Sequence, residues 1–345
     1  MQTVAEALRS LNPVEGEPRE STSGGTFADV RSGRRGRPAT PADHDLGLVG
    51  RSAAIAEVRE RILRYAPLPY PVLILGETGT GKELVARALH ARSPRAGRPF
   101  VVANAAAFTD GLLASELFGH ARGAFTGAVA RHRGLFEAAD GGTLFLDEVA
   151  EMPAGVQACV LRAIEHGEVR PLGAERERRV DVRVIAATNA DLSEMLAAGR
   201  FRHDLYRRLS VLRVVVPPLR ARRSDVPLLA RHFLARHAIP GGPRGLTDAA
   251  LEALSFEPWP GNVREIGSVI VRAAAHGTSP LIDAEGVKAA LAEDRPRDLS
   301  GDLTEASLVE SALARARGNV SRAARLLGVP RSTLRDRLRR FHGAA

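Results

Sequence analysis

The chain has almost no cysteine, almost no lysine and no long apolar run, and each shortage narrows what it can be. A single cysteine, Cys159, excludes an intramolecular disulfide framework from these 345 residues and fits a reducing compartment. Cys159 is expected to pack as a small core residue of a helix. No apolar stretch approaches the roughly 18 residues of a membrane-spanning helix. No charged, apolar, small-residue leader opens the sequence. Neither membrane insertion nor secretion is expected, and the cytoplasm is the expected location. Lysine stands only at positions 82 and 288, among 49 basic residues. Arginine supplies generic positive charge here, so a lysine marks a place where a compact ammonium is wanted.

What is present describes a globular protein of two or three domains, with 44% apolar residues and a formal charge of +9. The basic balance favours a polyanionic partner. A genome rich in arginine codons would give the same total, so the location of the charge has to decide. Residues 1–44 are rich in Gly, Ser, Pro, Thr and Arg and read as a disordered leader. From residue 45 the pattern becomes that of an α/β domain reaching residue 222. Apolar runs at Val72 to Leu75, Phe100 to Ala103, Thr143 to Leu146, Val182 to Ala187 and Leu212 to Val216 alternate with helical segments, which predicts a parallel five-stranded sheet. Ligands of such sheets bind at the C-terminal ends of the strands.

Those ends carry the polar residues. After Val72 to Leu75 comes Gly76-Glu77-Thr78-Gly79-Thr80-Gly81-Lys82-Glu83, then an apolar helical period. This is the layout of a phosphate-binding loop. Its glycines let backbone N–H groups turn inward, the following helix N-terminus adds positive partial charge, and Lys82 reaches the terminal phosphates of a nucleotide. The competing reading is a glycine-rich turn between a strand and a helix. The strand–helix context and the rarity of lysine count against it. Thr143 to Leu146 ends in Asp147 and Glu148, one carboxylate to hold Mg²⁺ and one to polarise an attacking water. Two neighbouring strands end in Asn104 and Asn189, uncharged groups able to orient water, phosphate or Glu148. Between them lies Gly123-Ala124-Phe125-Thr126-Gly127-Ala128, which the residues alone favour as a buried Phe in a glycine-rich turn over a flexible loop presenting it. Glu168 to Val180 reads as an inserted hairpin.

The C-terminal third is helical in pattern. Residues 223–294 are expected to form a lid with Leu228, Leu229, Phe233, Leu251, Leu254, Ile266 and Ile270 in its core, and with the only tryptophan, Trp259, packed rather than touching ligand. Residues 295–302 form a linker. In 303–345, Gly318-Asn319 and Gly328-Val329-Pro330 separate three helices, a helix-turn-helix pattern. Arg331, Arg335 and Arg339 form one stripe of the last helix, suited to a major groove. Arg331, Ser332, Thr333, Arg335 and Arg339 are the candidate DNA contacts, so the excess charge has a location.

In order and spacing, Gly76 to Glu83, Gly123 to Ala128, Gly141 to Glu148, Phe201 to Leu209 and Trp259 to Glu265 resemble the NtrC-like AAA+ activators of sigma-54 RNA polymerase. The end of the chain resembles their Fis-type helix-turn-helix. The resemblance covers about residues 47 to 341 and implies an AAA+ P-loop ATPase with a helical lid and an all-α DNA-binding domain. It implies ATP and Mg²⁺ as cofactors, with sigma-54 holoenzyme, an upstream palindromic DNA site and further copies of the chain, from dimer to hexameric ring, as partners. It makes Gly123 to Ala128 the loop that touches sigma-54, overturning the buried reading of Phe125. It implies that Asn104 holds Glu148 in an inactive rotamer, and that Asn189 and Arg264 sense nucleotide. It also implies that Arg202 and Arg208 reach into a neighbouring subunit's site, and that Val49 and Gly50 approach the adenine. Glu83 stands where strict phosphate-loop grammar has Ser or Thr, as is general in this family. No receiver domain is evident, so control by a partner protein or by expression is expected. The alternative is a DNA-binding repressor whose ATPase is regulatory.

Overall fold

The computed structural model describes residues 46–108, 110–240, 242–277, 279–294, 316, 319–326 and 334. The leader, the linker and the five candidate DNA contacts lie outside the described residues.

Five short strands make the central sheet: β1 (Val72–Leu75), β2 (Phe100–Asn104), β3 (Thr143–Asp147), β4 (Arg183–Thr188) and β5 (Leu212–Val215). Their order is β2-β3-β4-β1-β5 and every pairing is parallel, with Leu75 opposite Thr188 and Asn104 opposite Asp147, so the strands leading to Asn104 and Asn189 are not neighbours but flank β3. β4 is buried along its whole length and β3 along all but its last residue, because helices cover both faces. One face packs Leu73, Leu144, Leu146, Val184 and Ala186 against Phe136, Leu205 and Leu209. The other packs Ile74, Phe145, Ile185 and Val214 against Val58, Ile62, Val85 and Leu89. Each fully buried Leu or Ile contributes about 1.5–3 kcal/mol. Apolar residues on both faces of these strands therefore place them inside a sheet covered by helices on either side.

The longer helices of this part are α1 (Ala53–Tyr65), α2 (Lys82–Ala91), α3 (Asp110–Phe118), α4 (Ala154–His166) and α5 (His203–Leu209), with short helical turns at Leu135–Ala138 and Leu192–Ala197. Ser52 caps α1, its Oγ accepting from the Ile55 amide at 3.3 Å. The other end of α1 is held by Arg183 of β4, which is 3% exposed and donates to the carbonyls of Ala66 at 2.7 Å and Tyr65 at 2.9 Å. Burial, then nearby Arg95, pushes the Arg183 guanidinium down to about 10, so it stays charged at neutral pH at the negative end of the helix. Cys159 does not join the core. α4 buries Val156, Gln157, Val160, Leu161 and Ala163, and Cys159 falls on the opposite, exposed face. An apolar reading of the residue type could not supply that helical phase.

Two hairpins leave the sheet. Gly119–His120 pairs antiparallel with His132–Arg133, and Glu168–Val169 with Arg178–Arg179, the latter where the sequence predicts an inserted hairpin. They are clasped together, with the Ala121 amide on Leu172 O and the Leu172 amide on Gly119 O, both at 2.9 Å.

Among the described residues the lid has four α-helices, α6 (Val226–Arg236), α7 (Asp248–Phe256), α8 (Asn262–His276) and α9 (Ala284–Asp294), around a core of Leu229, Leu251, Leu254, Trp259, Ile266 and Ile270. Trp259 is 1% exposed and its indole N–H donates to Leu254 O at 2.8 Å, which makes it a packing residue as expected. Phe233 and Leu228 are only half-buried. Farther on, Val320–Leu326 forms α10, where Asn319 Oδ1 accepts from the Ser321 amide at 3.1 Å, with Ala316, Ala323, Ala324 and Leu334 buried. Among the described residues no helix is long and apolar enough to cross a membrane.

Candidate nucleotide site and contact loop

The chain turns sharply at the end of β1. Gly79 and Gly81 take left-handed φ values of 77° and 104°, and Gly81 leads directly into α2. At Gly79 the conformation is required twice over, because a Cβ there would lie 2.2 Å from the carbonyl oxygen of Gly261. The loop thus carries the α2 N-terminus and its unpaired N–H groups to the head of the sheet. A cleft of about 430 Å³ opens over it. Thr78, Gly79, Gly81, Lys82 and Glu83 form its floor, Asn104, Asp147 and Glu148 one wall, and Phe233, Val263 and Arg264 of the lid the other.

Lys82 is only 7% exposed. Its ammonium donates to Gly76 O at 3.0 Å and meets Glu148 Oε1 at 3.3 Å. The other Glu148 oxygen accepts from the backbone N–H of Asn189 at 3.0 Å, and Asn189 Nδ2 donates to Thr78 Oγ1 at 2.8 Å. Asn189 therefore bridges the carboxylate and the phosphate loop. Asn104 lines the same cleft, but its Oδ1 accepts from the Ala106 amide at 2.9 Å and no hydrogen bond joins it to Glu148. Glu148 itself sits at φ 52°. A left-handed, non-glycine residue costs on the order of 1–3 kcal/mol and is tolerated where function needs the geometry. Burial, then the adjacent Glu148, pushes the Asp147 carboxyl above its usual range, while Lys82 pulls it back. A divalent cation would relieve both effects, and the paired carboxylates beside the loop fit one chemically.

The remaining residues singled out by sequence fall elsewhere. Arg202 and Arg208 do not line the cleft; they share a separate hollow with Glu165, His203, Asp204 and Arg207. Arg202 is held by Asp204 through bonds of 2.7 and 3.0 Å, which brings the Asp204 carboxyl down to about 2. Val49 packs against the lid core, and Val49 and Gly50 stand outside the cleft lining. Beside them the buried Asp225 carboxylate accepts from the amides of Arg51 at 2.6 Å and Ser52 at 2.8 Å.

Residues 123–128 close a tight loop in which the Gly123 amide reaches Ala128 O at 2.8 Å and the Ala128 amide reaches Phe125 O at 3.0 Å. Phe125 is 45% exposed and its ring stands edge-on to His120, 5.0 Å between centroids. Thr126 and Val129 are exposed as well. Presentation, not burial, is what the geometry gives Phe125.

Sequence reasoning missed the residues that grip the loop from the lid side. Arg220 forms a bidentate pair with Glu77, Arg222 donates to Thr80 O at 3.1 Å, and buried Asn262 donates to Thr78 O at 3.0 Å. The Pro217-Pro218-Leu219-Arg220 run and the Trp259 to Glu265 motif were the available signals, since each places polar side chains at an otherwise apolar domain seam.

Three family models match the chain in succession. They are a sigma-54 interaction domain at residues 48–215, an AAA+ ATPase lid domain at 220–302 and a bacterial regulatory protein domain of the Fis family at 302–341. Among similar proteins, the transcriptional regulatory protein ZraR of Klebsiella oxytoca is 43% identical over 356 residues, covering 99% of this chain and 80% of that protein. The nitric oxide reductase transcription regulator NorR2 of Cupriavidus necator is 41% identical over 377 residues, covering 99% of this chain and 71% of that protein. Among solved structures, NtrX from Brucella abortus in complex with ADP is similar at a TM-score of 0.66 and 36% identity, over 86% of this chain and 70% of that one. Its complex with ATP gives the same TM-score over 85% and 69%.

Proposed function

The chain belongs to the sigma-54-dependent AAA+ transcription activators, and from that membership we propose how its own residues perform the work. The protein is an ATPase and a DNA-binding activator acting on sigma-54 RNA polymerase. The observation that carries the residue assignments is the meeting of Lys82, Asp147, Glu148 and Asn189 around the phosphate loop.

ATP seats its phosphates on the N–H groups of residues 76–83, with Lys82 at the β- and γ-phosphates and Arg264 closing from the lid. Asp147 would hold Mg²⁺, which would supply screening of the phosphate charge when bound. Glu148 accepts a proton from the attacking water, and Asn189 orients it. The γ-phosphate competes with Glu148 for Lys82, and Asn104, on the neighbouring strand, holds Glu148 in an inactive rotamer until that phosphate is sensed. Val49 and Gly50 flank the base.

Arg202 and Arg208 lie outside the subunit's own cleft, which fits their action on a neighbour's nucleotide in a ring, up to a hexamer. Movement of Glu148 passes to the loop Gly123 to Ala128, whose exposed Phe125 and Thr126 engage sigma-54. Arg331, Ser332, Thr333, Arg335 and Arg339 tether the assembly to upstream DNA. Control in trans by a regulatory protein completes the scheme.

The ring is tested by ATPase rate per subunit across a dilution series. The rate should collapse below the assembly concentration; a constant rate down to the monomer would contradict an active site shared between subunits.

A further inference from the structure

Of the side chains that grip the phosphate loop from the lid side, one stands at the head of a lid helix. Asn262, the first residue of α8, is fully buried and sits at a left-handed φ of 55°. Asparagine tolerates that conformation better than other non-glycine residues, and here its amide is used at both ends. Oδ1 accepts from the Leu219 amide at 2.8 Å. Nδ2 donates to Thr78 O at 3.0 Å and to Glu77 Oε2 at 3.2 Å. The orientation of the amide follows from this network, since only its nitrogen can face a carbonyl and a carboxylate, and only its oxygen an N–H. The next two residues continue the contact, the amides of Val263 and Arg264 both pointing at Gly79 O, at 3.0 and 3.3 Å. Three consecutive residues of the loop, 77–79, are thus bonded to three consecutive residues at the start of α8. The side chain of the third, Arg264, lines the cleft.

We infer that Asn262 is a positioning residue for ATP turnover: it couples the phosphate loop to the lid, so that a filled loop sets the register of α8 and places Arg264 on the nucleotide. Glycine would accept the backbone angle but make none of these bonds. Aspartate would offer no donor to Thr78 O and would set a second carboxylate against Glu77. Alanine would remove the partner of Thr78 O and leave the buried Leu219 amide without one. Asn262 touches no reacting atom; it acts through Arg264 and the loop. The inference rests on the nucleotide-site reading above.

The first arm is a double-mutant cycle in the full chain at assembled concentrations, with Asn262→Ala, Arg264→Ala and both together, measuring KM for ATP and kcat. Acting through Arg264, Asn262→Ala should raise KM at least about tenfold in the wild-type background and less than about twofold when Arg264 is already alanine. Losses that multiply in the double variant would overturn the coupling. The second arm uses the unmodified protein, so it survives a variant that does not fold. Adding ADP should slow amide hydrogen exchange at Thr78 to Lys82 together with Leu219, Val263 and Arg264. Slowing confined to the phosphate loop would sink the coupling alone, whereas no slowing at either place would sink the nucleotide reading with it.

Discussion

Lys82 and Glu148 face one another across the cleft at 3.3 Å, the ammonium 7% and the carboxylate 18% exposed. They are brought together from the two strands flanking β4, on either side of the sheet's centre. On the proposed reading the pair sets a charge for phosphate beside a base for water, and the two residues have separable tasks. Lys82→Ala should abolish nucleotide binding. Glu148→Gln should bind ATP normally and hydrolyse it at least about 10²-fold more slowly, the loss of a general base. Fluorescent-nucleotide titration beside a phosphate-release assay separates them; equal binding defects in both would contradict the division.

Arg202→Ala and Arg208→Ala should each lower hydrolysis by about 10³-fold or more while leaving ATP binding intact, the scale of an arginine finger. Mixing Arg202→Ala subunits with Glu148→Gln subunits should restore part of the activity. Each kind of subunit then supplies what its neighbour lacks. Absence of any restoration, with mixed assembly verified, would place both residues in the same subunit's site.

Thr126→Ala should hydrolyse ATP at a rate within about twofold of wild type and fail to activate transcription, because the loop is exposed and lies outside the cleft. Normal activation by this variant would remove the loop from the sigma-54 contact.

Glu77 gives a pH dependence of definite sign. Its hydrogen bonds from Arg220, then Asn262, bring the carboxyl from 4.5 down to about 2. A carboxylate whose folded value is depressed stabilises the protein above its unfolded value, and that contribution is lost as pH falls from 4.5 towards 2. The pair is exposed, so its worth is at most about 1 kcal/mol. Arg220→Ala should therefore lower the unfolding midpoint slightly near neutrality, and the difference from wild type should shrink towards zero at acid pH. A difference that grew on acidification would reverse the assignment.

Deleting residues 303–345 should leave ATPase activity within about twofold and abolish site-specific DNA binding, read by gel shift at fixed salt. Retained specific binding would move the DNA contact into the ATPase part.

The sheet was legible because parallel strands buried on both faces read as unbroken apolar runs, and the phosphate loop because three glycines and a rare lysine follow one of them. Trp259 was legible as packing. Less visible was everything that depends on phase or on contacts distant in sequence. Cys159 faces solvent by its turn of α4, and Arg183 is a buried arginine whose partners lie over a hundred residues away. Phe125 read from residues alone favoured burial over display, although glycine-rich flanks permit both. Asn262 stood inside a recognised motif, yet its task shows only when α8 is seen lying on the loop.

The most direct test of the account is open-complex formation by sigma-54 holoenzyme on a promoter carrying a site for this protein, comparing ATP with a non-hydrolysable analogue. Opening that requires ATP hydrolysis is the predicted result. Failure to open under conditions of normal ATPase activity and DNA binding would contradict the central claim.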